Sequence, residues 1–247
     1  MFLLSLFEFV GTVAFAISGT LIAMQKRLDL FGVLTLATIT AVGGGIFRDV
    51  ILGHTPPQAL RNPFYCLLSI FTAIVIVIIY PWLIERGIEI YRKKYNQEGL
   101  DESSIDIEIQ QKIQMFRGRT EILRKVNVWV DAIGLGAFTA VGANIAMTHD
   151  AANVFLVICM GTITGVGGGI VRDMFVQDIP MVFKKEIYAV ASVLGAFVLW
   201  LFQKYIPSIN ALYVSAFVTI SFRLLSIRYN WNLPKATLDK LLIKNRM

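Results

Sequence analysis

One seven-residue motif occurs twice in this chain of 247 residues, with a single difference between the copies, and it constrains the fold more than any other feature. Residues 43–49 read Gly-Gly-Gly-Ile-Phe-Arg-Asp, and residues 167–173 read Gly-Gly-Gly-Ile-Val-Arg-Asp, 124 positions later. Each copy stands late in a long apolar stretch. Glycines weaken a helix, and charged side chains are costly inside lipid. Two copies of such a motif predict a duplicated functional feature, and the function we expect of it is a permeation path.

The composition is that of a membrane protein. Hydrophobic residues make up 56% of the chain and charged residues 16%, whereas a soluble domain carries about 25% charged residues. The net charge of +6 is too modest to indicate a nucleic-acid partner. Cys66 and Cys159 show no metal spacing, and the chain has no nucleotide loop or nucleophile elbow. We therefore expect no cofactor, no bound metal and no enzyme activity.

Seven apolar stretches approach the roughly 20 residues that a spanning helix needs. We place them at residues 2–24, 30–53, 61–84, 127–148, 152–177, 185–204 and 208–227. A cleaved signal peptide is disfavoured for the first stretch, because no basic region precedes it and Glu8 interrupts it. Of the 23 lysines and arginines, 19 fall on one side of this arrangement and two on the other. The N-terminus is therefore predicted outside and the C-terminus in the cytoplasm.

Because each repeat holds three segments, this orientation makes the two halves inverted relative to each other. We predict an all-α membrane protein of seven transmembrane helices, built as two inverted three-helix repeats plus a seventh helix. The match extends beyond the glycines, since Glu8 corresponds to Asp131 and Pro56 to Pro180. The predicted units are a first repeat at 1–84, a charged cytoplasmic linker at 85–126, a second repeat at 127–204, and a seventh helix with a cytoplasmic tail at 205–247.

Three successive glycines predict a local break or kink in each helix, since each glycine costs about 1 kcal/mol relative to alanine. A break would leave backbone carbonyls that coordinate potassium transiently, as in a selectivity filter. Close helix packing through small residues is the alternative. The symmetric placement favours paired hinges along an ion pathway. The predicted hinge residues are Gly43, Gly44, Gly45, Gly167, Gly168 and Gly169.

Ionisable residues inside the predicted segments are candidates for lining a pore or for locking helices together, and we leave both roles open. Neighbouring helical side chains point in different directions, so we expect each charge to pair with another helix rather than with its neighbour. The candidates are Arg48, Asp49, Arg172, Asp173, Glu8 and Asp131. Lys184 and Lys185 stand where the sixth segment begins, and we expect them to anchor its end among lipid headgroups.

The doubled motif, with a proline seven residues after each aspartate, resembles the prokaryotic members of the trimeric intracellular cation channel family. That group overlaps a bacterial membrane family described as glycine transporters. The resemblance implies a homotrimer in the cell membrane, with a pore in each subunit lined by glycine-kinked second and fifth helices. It implies passive conduction of monovalent cations, chiefly potassium. A glycine transporter that uses the same hinges for alternating access is the alternative, and a scaffold without transport is a third interpretation.

Overall fold

The computed structural model describes residues 2–97, 120–184, 187–229 and 231, and all regular structure in these residues is helical. The helices are α1 (Phe2–Gln25), α2 (Leu30–Ile51), α3 (Gln58–Arg61), α4 (Phe64–Gln97), α5 (Thr120–His149), α6 (Val154–Phe175), α7 (Met181–Lys184), α8 (Ile187–Phe202) and α9 (Ser208–Arg228). Six are long and apolar enough to cross a membrane, and α8 is a shorter apolar helix of 16 residues. The predicted all-α membrane fold is confirmed.

The helices that carry the repeated motif, α2 and α6, begin and end by the same local devices. Asp29 caps α2 and Asn153 caps α6, each side chain accepting a hydrogen bond from the backbone N–H three residues on, at 2.7 and 3.0 Å. At the other end, each helix stops at a residue in the left-handed backbone region, Gly53 with φ +76° and Gln177 with φ +58°. The duplication therefore includes the helix boundaries as well as the glycines.

The two repeats pack against each other through equivalent helices, α1 against α5 and α2 against α6. Within the repeats, α4 packs on α1 and α2, and α8 packs on α5 and α6. The rings of His54 and His149 lie 5.9 Å apart, so α2 and α5 end on the same face. A 2.8 Å ion pair between Lys26 and Asp178 brings the start of α2 to the end of α6 on the opposite face. The two repeats thus run in opposite directions, as predicted.

Helix α9 lies outside the duplication and packs on α5 and α8, so it covers the second repeat. The first repeat has no corresponding helix among the described residues, and α4 keeps an exposed apolar face that includes Leu67, Phe71 and Ile78. An apolar face of this kind is stable against lipid tails, where a soluble protein would bury it. The two repeats therefore share a fold but not the same surroundings.

Helical structure enters the predicted linker from both ends. Helix α4 continues through Pro81 to Gln97, and α5 begins at Thr120. The middle of the linker, residues 98–119, lies outside the described residues. The division of the chain into two repeats, a linker and a tail at the boundaries given above stays a prediction.

Candidate functional site

The two glycine triplets meet where α2 crosses α6. A β-carbon added to Gly44 would collide with the backbone carbonyl oxygen of Thr164, and one added to Gly168 would collide with that of Thr40. A β-carbon on Gly167 would lie 3.0 Å from the Cα of Gly44. The two backbones are therefore in direct contact, which small residues permit and larger ones prevent.

Of the predicted break or kink at the glycines, the break is wrong, because α2 and α6 stay helical through both triplets. A kink within a continuous helix stays a prediction. Their carbonyls remain in the helical hydrogen-bond pattern, so they are not free to coordinate potassium in this conformation. Close packing explains Gly44 and Gly168 in particular. Gly43 and Gly45 are less confined, since a β-carbon there would meet its nearest neighbour at 3.9 and 3.7 Å. Glycine lowers the stability of a helix, and the close packing of the two backbones offsets this loss at the positions where they touch.

A buried charge cluster lies one turn beyond the glycines of α6, and we call it the second cluster. Arg172 donates through Nε to Asp173 Oδ1 at 2.8 Å and through Nη1 to Asp131 Oδ1 of α5 at 2.9 Å. Nη1 also donates to Ser18 Oγ of α1 at 2.5 Å, and Ser18 donates to Asn127 Oδ1 at 2.6 Å. Arg172 and Asp131 have 0% exposure. The second cluster thus joins α1, α5 and α6 through buried hydrogen bonds and ion pairs, and we call this arrangement closed.

The equivalent residues of the first repeat form a more open arrangement, which we call the first cluster. Arg48 donates through Nε and Nη2 to Asp49 Oδ1 at 2.9 and 2.7 Å. Glu8 of α1 accepts from the Tyr65 hydroxyl at 2.6 Å. No ion pair joins Glu8 to Arg48 in the part of the chain that the structure describes. All four side chains line a cavity of about 50 Å³.

Two differences between the repeats account for one cluster being closed and the other open. Ser18 donates and accepts inside the second cluster, whereas Val141 stands at the equivalent position and presents an apolar wall to the cavity of the first. Tyr188 of α8 belongs to the second cluster, since a β-carbon added to Gly169 would lie within 4.0 Å of its hydroxyl, of Arg172 and of Asp131. Helix α9 also places Arg223 beside this cluster, with its guanidinium carbon 4.6 Å from the centre of the Tyr188 ring. The first cluster has neither feature, so its charges stand around a cavity.

The prediction that neighbouring arginine and aspartate would not pair is wrong in both copies. An arginine side chain is long enough to turn back to the next carboxylate even though the two β-carbons diverge. The other oxygen of each aspartate accepts the backbone N–H that begins the following short helix, Gln58 after Asp49 and Met181 after Asp173, at 2.8 Å in both cases. This places Pro57, and not Pro56, opposite Pro180. The expected pairing with another helix is confirmed for Arg172 alone of the two arginines among the described contacts.

Sequence reasoning missed several members of the clusters. Tyr65 and Tyr188 are 123 positions apart, the same offset as the pair Glu8 and Asp131, so the repeat itself was a signal for them. The count of basic residues assigned Arg223 to the solvent-exposed cytoplasmic end of the chain. In the structure Arg223 lies within α9 and is only 2% exposed. The predicted lipid anchor falls at the end of α7, where Lys185 and the side chain of Lys184 lie outside the described residues.

Two inverted bundles, a glycine crossing between them and a charge cluster on either side of it define a class of protein. The class is that of membrane transport proteins built from inverted repeats, not of enzymes. A family model described as glycine transporter matches the chain twice, at residues 5–81 and 128–204, and the chain belongs to this family.

Relatives of similar length support this membership. The chain is 32% identical to the UPF0126 inner membrane protein YadS of Escherichia coli, over 94% of this chain and 96% of that protein. It is 32% identical to the UPF0126 membrane protein YvgT of Bacillus subtilis, over 93% and 94% of the two chains.

Solved structures of TRIC cation channels have the same fold. One, from work on conductance through these channels, is 32% identical with a TM-score of 0.71, covering 95% of this chain and 97% of that one. A prokaryotic TRIC channel in 0.5 M KCl is 34% identical with a TM-score of 0.72, covering 94% and 100%. A Rhodobacter sphaeroides orthologue, at 24% identity and a TM-score of 0.73, supports the fold alone.

Proposed function

We propose that this protein is a potassium-permeable cation channel, a homotrimer with one ion path in each subunit. The likeness to two TRIC channel structures at 32% and 34% identity over nearly the whole chain supports cation conduction. The observation in this chain that carries the proposal is the placement of the first and second clusters on opposite sides of one glycine crossing. A path through the subunit along α2 and α6 would pass both clusters.

The second cluster is the gate in this proposal, and the structure is then a closed conformation. Arg172 fills the space between α1, α5 and α6 and is held by three side chains. Opening requires that Arg172 leave Asp131 and that α2 and α6 separate at the glycines. Gly43–Gly45 and Gly167–Gly169 are then hinges in motion, although both helices are continuous when closed. The lock and the ion-path interpretations of the charges both apply, one to each cluster.

Single-channel recording in planar lipid bilayers tests the proposal. We expect potassium currents far above the turnover rates of transporters. Absence of current over a range of voltages would count against a channel, provided that a thermal unfolding transition shows the reconstituted protein to be folded. Molecular mass in detergent, measured by light scattering, tests the trimer.

Glycine transport is the second candidate, because the matched family model carries that description. Uptake of radiolabelled glycine into proteoliposomes from the same preparation separates the two functions. Saturable uptake without potassium current would favour a transporter. If the protein is a scaffold without transport, neither potassium current nor glycine uptake should be found.

The location and orientation are also part of the proposal. The protein lies in the inner or plasma membrane of the cell, with its N-terminus outside and its C-terminus in the cytoplasm. The excess of basic residues on one side supports it. In this orientation the first cluster faces outward and the second inward, and basic helix ends meet membrane lipids. A fluorescent protein fused to the C-terminus should fluoresce, because it folds on the cytoplasmic side. A fusion that does not fluoresce would contradict this orientation and indicate the opposite one.

A further inference from the structure

The carboxylate of Glu8 lies between α1, α2 and α4 and faces the cavity of the first cluster. One of its oxygens, Oε2, accepts from Tyr65 at 2.6 Å. A tyrosine hydroxyl is neutral, so this contact orients the carboxylate without balancing its charge. Among the described residues no basic side chain forms an ion pair with Glu8. Glu8 is partly buried and stands within a candidate membrane span, Leu4–Gln25. A carboxylate inside a membrane span calls for a counter-charge, because charged groups there are costly unless they are paired.

Among the described residues, Arg48 forms its ion pair with Asp49 and not with Glu8. Its guanidinium is engaged with Asp49 through two hydrogen bonds of 2.9 and 2.7 Å, and this pair is neutral as a whole. The ionisable side chains that line the cavity therefore sum to one negative charge, that of Glu8. In the second cluster the equivalent carboxylate, Asp131, is paired with Arg172 at 2.9 Å. The two repeats solve the same electrostatic problem in different ways.

The cavity has room for a monovalent cation, and several of the residues in its largely apolar wall carry oxygen atoms. At about 50 Å³ it has room for a few atoms of water size. Besides Glu8, the lining residues Thr12, Gln58 and Tyr65 have oxygen atoms in their side chains. Oxygen atoms of protein replace the hydration shell of potassium in selectivity filters. A single negative charge with neutral oxygens around it suits one monovalent cation.

We propose that the cavity of the first cluster binds one partly dehydrated monovalent cation, held by the carboxylate of Glu8. The proposal rests on the proposed cation conduction and assigns the first binding site on its outer side. It also gives the asymmetry a purpose, since the carboxylate that a fixed arginine neutralises in the second repeat is left for a mobile ion in the first.

The test is the dependence of single-channel conductance on potassium concentration. Glu8→Gln keeps the shape and the acceptor for Tyr65 but removes the charge. We expect the half-saturating potassium concentration to rise at least about fivefold, the effect of losing a unit charge roughly 4 Å away in water-like surroundings. Glu8→Asp keeps the charge and should stay near the wild-type value. Asp150→Asn is the matched control, an exposed carboxylate on the same face and outside the cavity. Equal curves for wild type and Glu8→Gln, or equal shifts in Glu8→Gln and the control, would overturn the site.

A binding measurement makes the result independent of conduction. A cation that binds the folded state and not the unfolded state stabilises the fold, and the stabilisation grows with the logarithm of the cation concentration once that concentration exceeds the dissociation constant. We expect rubidium chloride, against choline chloride at equal ionic strength, to raise the thermal unfolding temperature of detergent-solubilised wild type and not of Glu8→Gln. If this shift occurs and no current is found, the channel proposal fails and the site stands. If current is normal and the shift is absent or equal in both proteins, the site fails alone. A shift produced by glycine and not by rubidium would replace the cation with a zwitterion and refute the assignment.

Discussion

Replacing Asp131 with asparagine isolates the ion pair that closes the second cluster. Asp131 lies on α5 and is the partner of Arg172 on a different helix, at 2.9 Å. Both side chains are buried, so neither charge has solvent to replace a lost partner. Asparagine has nearly the same shape and keeps one oxygen acceptor. The change therefore removes charge from the closed conformation while leaving its packing intact.

The magnitude follows from burial and from the remaining partners. Removing one member of a buried ion pair costs about 3–5 kcal/mol. We use about 3 kcal/mol, the lower limit, because Arg172 keeps Asp173 and because Oδ2 of Asp131 has no hydrogen-bond partner among the described residues. If the open conformation lacks this pair, a channel open about 1% of the time becomes open roughly 60% of the time, since each 1.4 kcal/mol is tenfold.

Open probability in planar bilayers measures the effect directly. Asp178→Asn is the control, because its ion pair with Lys26 also joins the two repeats but has side chains that are 39% and 46% exposed. Exposed pairs contribute about 0.2–1 kcal/mol, so the control should raise the open-to-closed ratio by no more than about fivefold. An Asp131→Asn channel that is folded and opens no more often than the control would refute the gate.

Further predictions concern packing, and thermal unfolding measures both. Gly168→Ala should destabilise the protein by about 1–3 kcal/mol, because the added β-carbon meets the carbonyl of Thr40. At Gly43 there is space for a β-carbon, so Gly43→Ala should be neutral or stabilise the protein by up to about 1 kcal/mol. If Gly43→Ala were the more destabilising of the two, the glycine crossing would be contradicted. Ser18→Ala leaves a buried N–H of Arg172 without its hydroxyl and should cost about 1–3 kcal/mol, and an unchanged melting temperature would show that the hydroxyl is not needed there.

The parts of the fold that sequence predicted are those that depend on periodicity and charge. Apolar length located five of the seven segments to within about two residues, whereas α4 and α5 extend well into the predicted linker. The distribution of lysine and arginine gave the inversion that contacts such as Lys26 to Asp178 display. The repeat offset paired Glu8 with Asp131. These features are local or additive along the chain, so a single sequence carries them.

The sequence did not predict what depends on the exact approach of two helices. A glycine triplet favours a break if the helix stands alone, and favours continuity if another backbone packs against it, as Thr164 packs against Gly44. The closure of one cluster and not the other depends on a hydroxyl at Ser18 facing a different helix, which no spacing rule reports. Arg223 was misplaced because a residue near a helix end is exposed or buried according to its neighbours.

The backbone contact between α2 and α6 has a mechanical consequence. Side chains absorb small displacements by changing rotamer, but at Gly44 and Gly168 there is no side chain between the helices. A shift of one helix is therefore transmitted to the other with little loss. Each cluster begins about one helical turn from this contact. In the proposed channel, cation occupancy at Glu8 and the opening of Arg172 are then linked equilibria, and by thermodynamic reciprocity each changes the other by the same factor.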